Sequence, residues 1–133
     1  MIEFTLPFPP STNGLFAGKA RRFKSRAYKA WITAAGWEIA RQRVRHAMGP
    51  VTVSILLRAP DRRQRDADNH IKAILDLVVS HGLLSDDSGA HVRSVSAGWA
   101  QMPGEPGAVV RMTPAEPETA KPRRVRDAGA PKL

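Results

Sequence analysis

The stretch "VTVSILLRAPDRRQRDADNHIKAILDLVVSHG", residues 51–82, sets the fold. Val51, Val53, Ile55 and Leu57 alternate with other residues, so 51–59 reads as a strand with one apolar face. After "PDRRQRDAD" the period changes. Ile71, Ile74, Leu75, Val78 and Val79 make the apolar stripe of a helix from about 69 to 81, with Gly82 where a C-terminal cap belongs.

Upstream, "IEFTLPF" (2–8) alternates as a short strand, and "PPSTNG" stops it. Residues 15–24 are basic and contain Gly, which predicts a mobile loop. From Ser25, whose residue type suits an N-cap, Tyr28, Trp31, Ile32, Ala35 and Ile39 recur at helical spacing. That predicts a helix over about 26–47, with Gly36 weakening its middle. Downstream, 83–90 is a loop. "HVRSVSAGWAQ" (91–101) and "GAVVRMT" (107–113) read as strands joined by "MPGEP" into a hairpin. Residues 114–133 hold four prolines and almost no bulky apolar residue, a composition for a disordered basic tail. The expectation is one compact α+β domain over 1–113: a mixed sheet, two main helices and a C-terminal β-hairpin.

Composition narrows the function. The 133 residues carry a net charge of +9, with a pI near 11.1. The charge is grouped at 19–29, 41–46, 62–65 and 121–126, which points to a polyanion such as nucleic acid. No segment sets these charges opposite bulky apolar anchors, so a membrane surface fits less well. With no cysteine, disulfides, thiolate metal sites and a cysteine nucleophile are excluded. No apolar run approaches membrane-spanning length, and "MIEFTLPFPP" lacks the pattern of a secretory signal. A cytoplasmic protein is the expectation.

Against this basic background, Asp66 and Asp68 stand out. In an extended segment residues i and i+2 point the same way, so both carboxylates face one spot. Two anions that close repel each other and need a compensating cation, either arginine or metal. Asp86 and Asp87 bring further carboxylate from beyond the second helix. Ordinary readings stand beside the metal one. Asp66 pairs with Arg65, Asp68 or Asn69 caps a helix, Lys72 is a solvated residue at i+4 from Asp68, and Asp86 and Asp87 are turn residues. A calcium loop fails, because Ile71 falls where Gly is required and Leu77 where the bidentate Glu belongs. Mg²⁺ suits an oxygen-only set, with phosphodiester hydrolysis as its chemistry and Lys72 stabilising the phosphate or leaving oxygen. Ser11 and Ser88 have no Ser-His-Asp context, and His46, His81 and His91 show no metal spacing. His70, beside the acids, reads as a surface histidine, with support of the carboxylates from behind as the alternative. Trp31 and Trp37 read as core or dimer packing, and Trp99 as core.

Three ordered motifs, "LPFPPSTN" (6–13), "APDRRQRDADNHIKAILDLV" (59–78) and "GLLSDDSGAHV" (82–92), resemble the RusA family of Holliday-junction resolvases over roughly 2–113. The resemblance implies a homodimeric, Mg²⁺-dependent endonuclease cutting four-way DNA junctions by paired symmetric cleavage. Its acidic catalytic residues fall on Asp66, Asp68 and Asp87 and its lysine on Lys72. Asp86 has a supporting place, and Asn69 shapes the helix start. The rival readings are a non-catalytic nucleic-acid-binding protein, a related nuclease of forks or flaps, and a dimer with a dead site. The small size and basic tail suit a phage or prophage protein.

Overall fold

The computed structural model describes residues 1–86 and 88–116. It is an α+β domain in which one four-stranded mixed sheet carries two helices on its buried face. Strand β1 is Ile2–Leu6, and two short strands follow, β2 (Phe16–Ala17) and β3 (Phe23–Lys24). Helix α1 spans Arg26–Gln42 and strand β4 spans Val51–Arg58. A 3₁₀ turn, Ala67–His70, leads into α2 (Ile71–Ser80), then β5 (Val92–Trp99) and β6 (Gly107–Pro114).

The sheet order is β1-β6-β4-β5. β4 pairs parallel to β5 and antiparallel to β6, and β6 pairs antiparallel to β1. The parallel pair needs a crossover, which α2 supplies. Alternation does what the sequence predicts. Val51, Val53, Ile55 and Leu57 are buried together with Phe4, Leu6, Ala108, Val110 and Met112. Against that face pack Tyr28, Trp31, Ala35 and Ile39 of α1 and Ala73, Ile74, Leu77 and Val78 of α2.

The expected C-terminal hairpin is corrected. β5 and β6 are consecutive but do not pair, because β4 lies between them. The connection passes around the end of β4. The Ala100 N–H donates to the Leu57 carbonyl at 2.8 Å, and Arg58 Nε donates to the Met102 carbonyl at 3.0 Å.

Helix α1 starts as read: Ser25 Oγ accepts the Tyr28 N–H at 3.1 Å. It ends at Gln42 rather than near 47. Arg43 turns left-handed (φ 53°), and the Val44 N–H closes back on the Ile39 carbonyl at 3.2 Å. Gln42 then serves the sheet. Its amide accepts the Thr5 N–H at 2.9 Å and donates to the Thr5 carbonyl at 2.8 Å, standing in for a neighbour along the open edge of β1.

The loop expected at 15–24 is a small antiparallel ribbon, Phe16 facing Lys24 and Ala17 facing Phe23. Its turn uses Gly18 at φ 95°, where a Cβ would sit 2.2 Å from the Arg21 carbonyl oxygen. At the C-terminus β6 runs through Pro114, and the Ala115 N–H bonds the Pro50 carbonyl at 3.0 Å. The rest of the expected tail, 117–133, lies outside the described residues. Trp31 is buried as expected, its indole N–H donating to the Pro7 carbonyl at 2.9 Å. Trp37 is not core: it points outward, 72% exposed.

Candidate active site

The carboxylates sit where β4 has ended and α2 has not begun. Asp66 is the extended residue before the 3₁₀ turn, and Asp68 lies inside it. Backbone bonds define this turn: the Asn69 N–H donates to the Asp66 carbonyl at 3.1 Å, and the Ile71 N–H to the Asp68 carbonyl. The helix therefore starts two residues later than periodicity suggests, and neither Asp68 nor Asn69 caps α2 with its side chain.

The ordinary pairings offered for these residues are taken up elsewhere. Arg65 pairs with Asp61 (Nη1–Oδ1 2.8 Å, Nη2–Oδ2 3.0 Å), not with Asp66. Lys72 pairs along α2 with Asp76 at 3.3 Å, not with Asp68. Among the described residues, the exposed carboxylates of Asp66 and Asp68 have no hydrogen-bond or ion-pair partner. The Arg65 guanidinium, with help from the Arg63 N–H, holds the Asp61 carboxyl well below the usual carboxylate range. So Asp61, five residues before Asp66, takes Arg65 and, at 3.6 Å, Arg63, and the pair that the sequence singles out takes neither.

Asp86 behaves as a turn residue. The Ser88 side chain, and then the Ser88 N–H at 2.8 Å, bond its carboxylate and lower its pKa, and His91 stands 3.9 Å away. Asp87 lies outside the described residues. Among those described, no three His, Cys, Asp or Glu side chains gather in a metal-binding group. Asp66 and Asp68 supply two oxygen donors of the kind that a hard cation takes, with no nitrogen or sulfur ligand beside them.

A cleft of about 250 Å³ opens at Asp66, lined also by Ser11, Asn13, Gln64, Arg65 and Asn69. A roomier groove of about 530 Å³ lies between the helices, against Phe16, Tyr28, Ile32 and Leu77. Its walls are mostly apolar, and no candidate residue lines it, though Asp76, the partner of Lys72, does. The smaller cleft is polar and is lined by Asp66 but not by Asp68, which lies inside the 3₁₀ turn, so the extended i, i+2 geometry expected of the pair does not hold.

Sequence reasoning missed the layer beneath the carboxylates. His70, expected at the surface, is 3% exposed. Its Nδ1 lies 3.1 Å from the Pro9 carbonyl oxygen, and its ring packs 4.8 Å from that of Phe8 and 6.0 Å from that of Trp99. The Arg65 guanidinium covers Phe8 at 5.4 Å. Thr12 Oγ1 donates to the Asn69 carbonyl at 3.1 Å. The "PFPPST" segment thus lies directly against the turn carrying Asp66 and Asp68. A signal for His70 is present in the sequence: with Ile74 and Leu77 it falls at i, i+4 and i+7 on the apolar face.

Comparison with known proteins supplies the family. The model for "Endodeoxyribonuclease RusA" matches residues 7–113. The crossover junction endodeoxyribonuclease RusA of Aquifex aeolicus (strain VF5) is 31% identical over 84 residues, 62% of this chain and 67% of the relative. The protein of the same description from Enterobacteria phage HK97 is 28% identical over 91 residues, 64% of this chain and 72% of the relative. The matched span holds β4, the carboxylate turn, α2 and the segment braced against that turn; the chain belongs to the RusA family of endodeoxyribonucleases.

Proposed function

We propose that this protein is an Mg²⁺-dependent, structure-specific endonuclease that resolves four-way DNA junctions by paired symmetric cuts, in recombination and repair. The observation that carries the reading is the pair Asp66 and Asp68. Both are exposed and unpartnered among the described residues while the arginine beside them is bound to Asp61. Free carboxylates repel a polyanion, so on a DNA-binding surface they need a cation as a third party. The relatives' description as crossover junction endodeoxyribonucleases supplies the substrate class.

In this reading Asp66 and Asp68, with Asp87, hold Mg²⁺, which when bound activates a water and offsets charge on the phosphate oxygens. Lys72 is the second residue of α2, its side chain half exposed and tied, among the described residues, only to Asp76. It leaves that pair to meet the phosphate or the leaving oxygen. Arg62 and Arg63, both exposed, hold flanking backbone. A homodimer places two equivalent sites against symmetry-related strands of a junction. No helix among the described residues is long and apolar enough to cross a membrane. We assign the protein to the cytoplasm, and the phage relative is in keeping with a phage or prophage origin.

The test is cleavage of synthetic four-way junctions, forks, flaps and linear duplex, each with Mg²⁺ and with chelator. Paired nicks confined to the junction and to Mg²⁺ support the reading. Equal cutting of forks or flaps redirects the substrate, and binding without cutting on every substrate overturns the nuclease.

A further inference from the structure

We infer that His70 is a positioning residue: its imidazole ties the 3₁₀ turn that holds Asp68 and follows Asp66 to the Phe8–Thr12 segment and thereby fixes the direction of both carboxylates. The inference rests on the proposed role of those two residues.

A carbonyl can only accept, so the 3.1 Å contact with Pro9 puts the proton on His70 Nδ1. The other nitrogen, Nε2, is buried with no partner among the described residues. A buried, half-satisfied imidazole packed against Phe8 and Trp99 costs stability that leucine would not cost. Packing alone therefore does not explain a histidine here. What the ring supplies, and an apolar residue cannot, is one directed bond across to Pro9.

That bond matters because, among the described residues, the two carboxylates take their direction from the backbone alone. Neither Asp66 nor Asp68 is held by a side-chain partner among the described residues, so their aim follows the backbone. The backbone is pinned at two adjacent points, by His70 to Pro9 and by Thr12 to the Asn69 carbonyl. Phe8 packs against His70 and Trp99, and Arg65 lies over its ring. Release of the His70 bond leaves the Thr12 tie alone between the two segments.

Two substitutions separate positioning from packing. His70→Leu fills the pocket and removes the donor. His70→Asn keeps an N–H near the position of Nδ1 and leaves the pocket underfilled. For positioning, His70→Leu melts at or above the wild-type temperature yet loses about 10- to 100-fold in kcat, with KM for the junction unchanged. It also binds Mn²⁺, followed by electron paramagnetic resonance, more weakly. His70→Asn melts lower and keeps kcat and Mn²⁺ affinity within about threefold, the margin for an intact tie. The reverse order, with His70→Leu active and His70→Asn impaired, overturns the inference. If His70→Asn does not fold, Thr12→Val breaks the neighbouring tie without emptying the pocket. It must then weaken Mn²⁺ binding in the same direction, and wild-type affinity overturns the inference. Should the wild type cut no branched DNA, the nuclease reading fails, while the Mn²⁺ affinities still decide whether His70 aims the carboxylates.

Discussion

Lys72 offers a perturbation whose structural and catalytic consequences differ sharply in size. Its ammonium lies 3.3 Å from Asp76, with side chains 53% and 42% exposed. Two unit charges at that distance attract by about 1.3 kcal/mol in bulk water. Side-chain ordering and salt reduce such exposed i,i+4 pairs to about 0.3–0.5 kcal/mol. Moving Lys72 from Asp76 to a phosphate therefore costs roughly a factor of two. A cation stabilising the charge that develops in the transition state is worth about 2.7–4 kcal/mol, or 10²–10³ in kcat. Lys72→Met, which preserves helix propensity, is predicted to shift the melting temperature by no more than about 3 °C and to lower single-turnover junction cleavage by at least about 100-fold. Asp76→Asn frees the lysine and is predicted to leave cleavage within about twofold of wild type. Thermal melts and single-turnover cleavage on the same preparations check both. If Lys72→Met cuts at the wild-type rate, or Asp76→Asn is as defective as Lys72→Met, the lysine is a structural partner of Asp76 and the reasoning is refuted.

Leu57 is fully buried in the central strand, and Leu57→Ala is predicted to cost about 2–5 kcal/mol, read as a lower urea midpoint at unchanged slope. Gly36 lies mid-helix, and a Cβ there meets only the far end of the exposed His81 ring, at 3.2 Å. Gly36→Ala should therefore stabilise by about 0.5–1 kcal/mol, and a lower melting temperature would show that His81 cannot yield. The Asp61 carboxyl titrates below its ordinary range because Arg65 and then Arg63 hold the charged form. A folded-state pKa below the unfolded one contributes stability above the ordinary carboxylate pKa, and that contribution is lost as pH falls through the folded value. The melting temperature of wild type minus that of Asp61→Asn is thus predicted to be positive at pH 6 and to shrink below about pH 4. A difference that grows on acidification contradicts the pairing.

The parts of the fold that sequence reasoning reaches are those written in local period. Alternation at 51–57 marks the central strand, and the 3.6-residue stripe marks both helices. Ser25 caps α1 as its residue type suggests. What local period cannot carry is which strand lies next to which. Turn residues between β5 and β6 favour a hairpin, yet the seven residues 100–106 are long enough to step over one strand, about 10 Å across two strand spacings. Central placement belongs to β4 because it pairs on both edges and buries every second residue, a property of the assembled sheet. The site divides the same way. Asp66 and Asp68 are visible as anions in a basic context. Which arginine neutralises which carboxylate is not, since Arg65 passes over its neighbour Asp66 for Asp61, four residues back. His70 was hidden because a polar residue beside two aspartates reads as solvent-facing, although its i+4 and i+7 partners are Ile74 and Leu77.

The most direct measurement takes wild type and Asp68→Asn to a four-way junction and scores binding and cutting separately, with Mg²⁺ and with chelator. Asp68 has no partner among the described residues to lose, so the substitution leaves the fold intact. The account predicts that wild type makes paired nicks only with Mg²⁺. Asp68→Asn should bind the junction at least as tightly, having shed a repelling charge, and not cut it. Equal cutting by both proteins would contradict the account, because the carboxylate pair would then be an incidental feature of the turn.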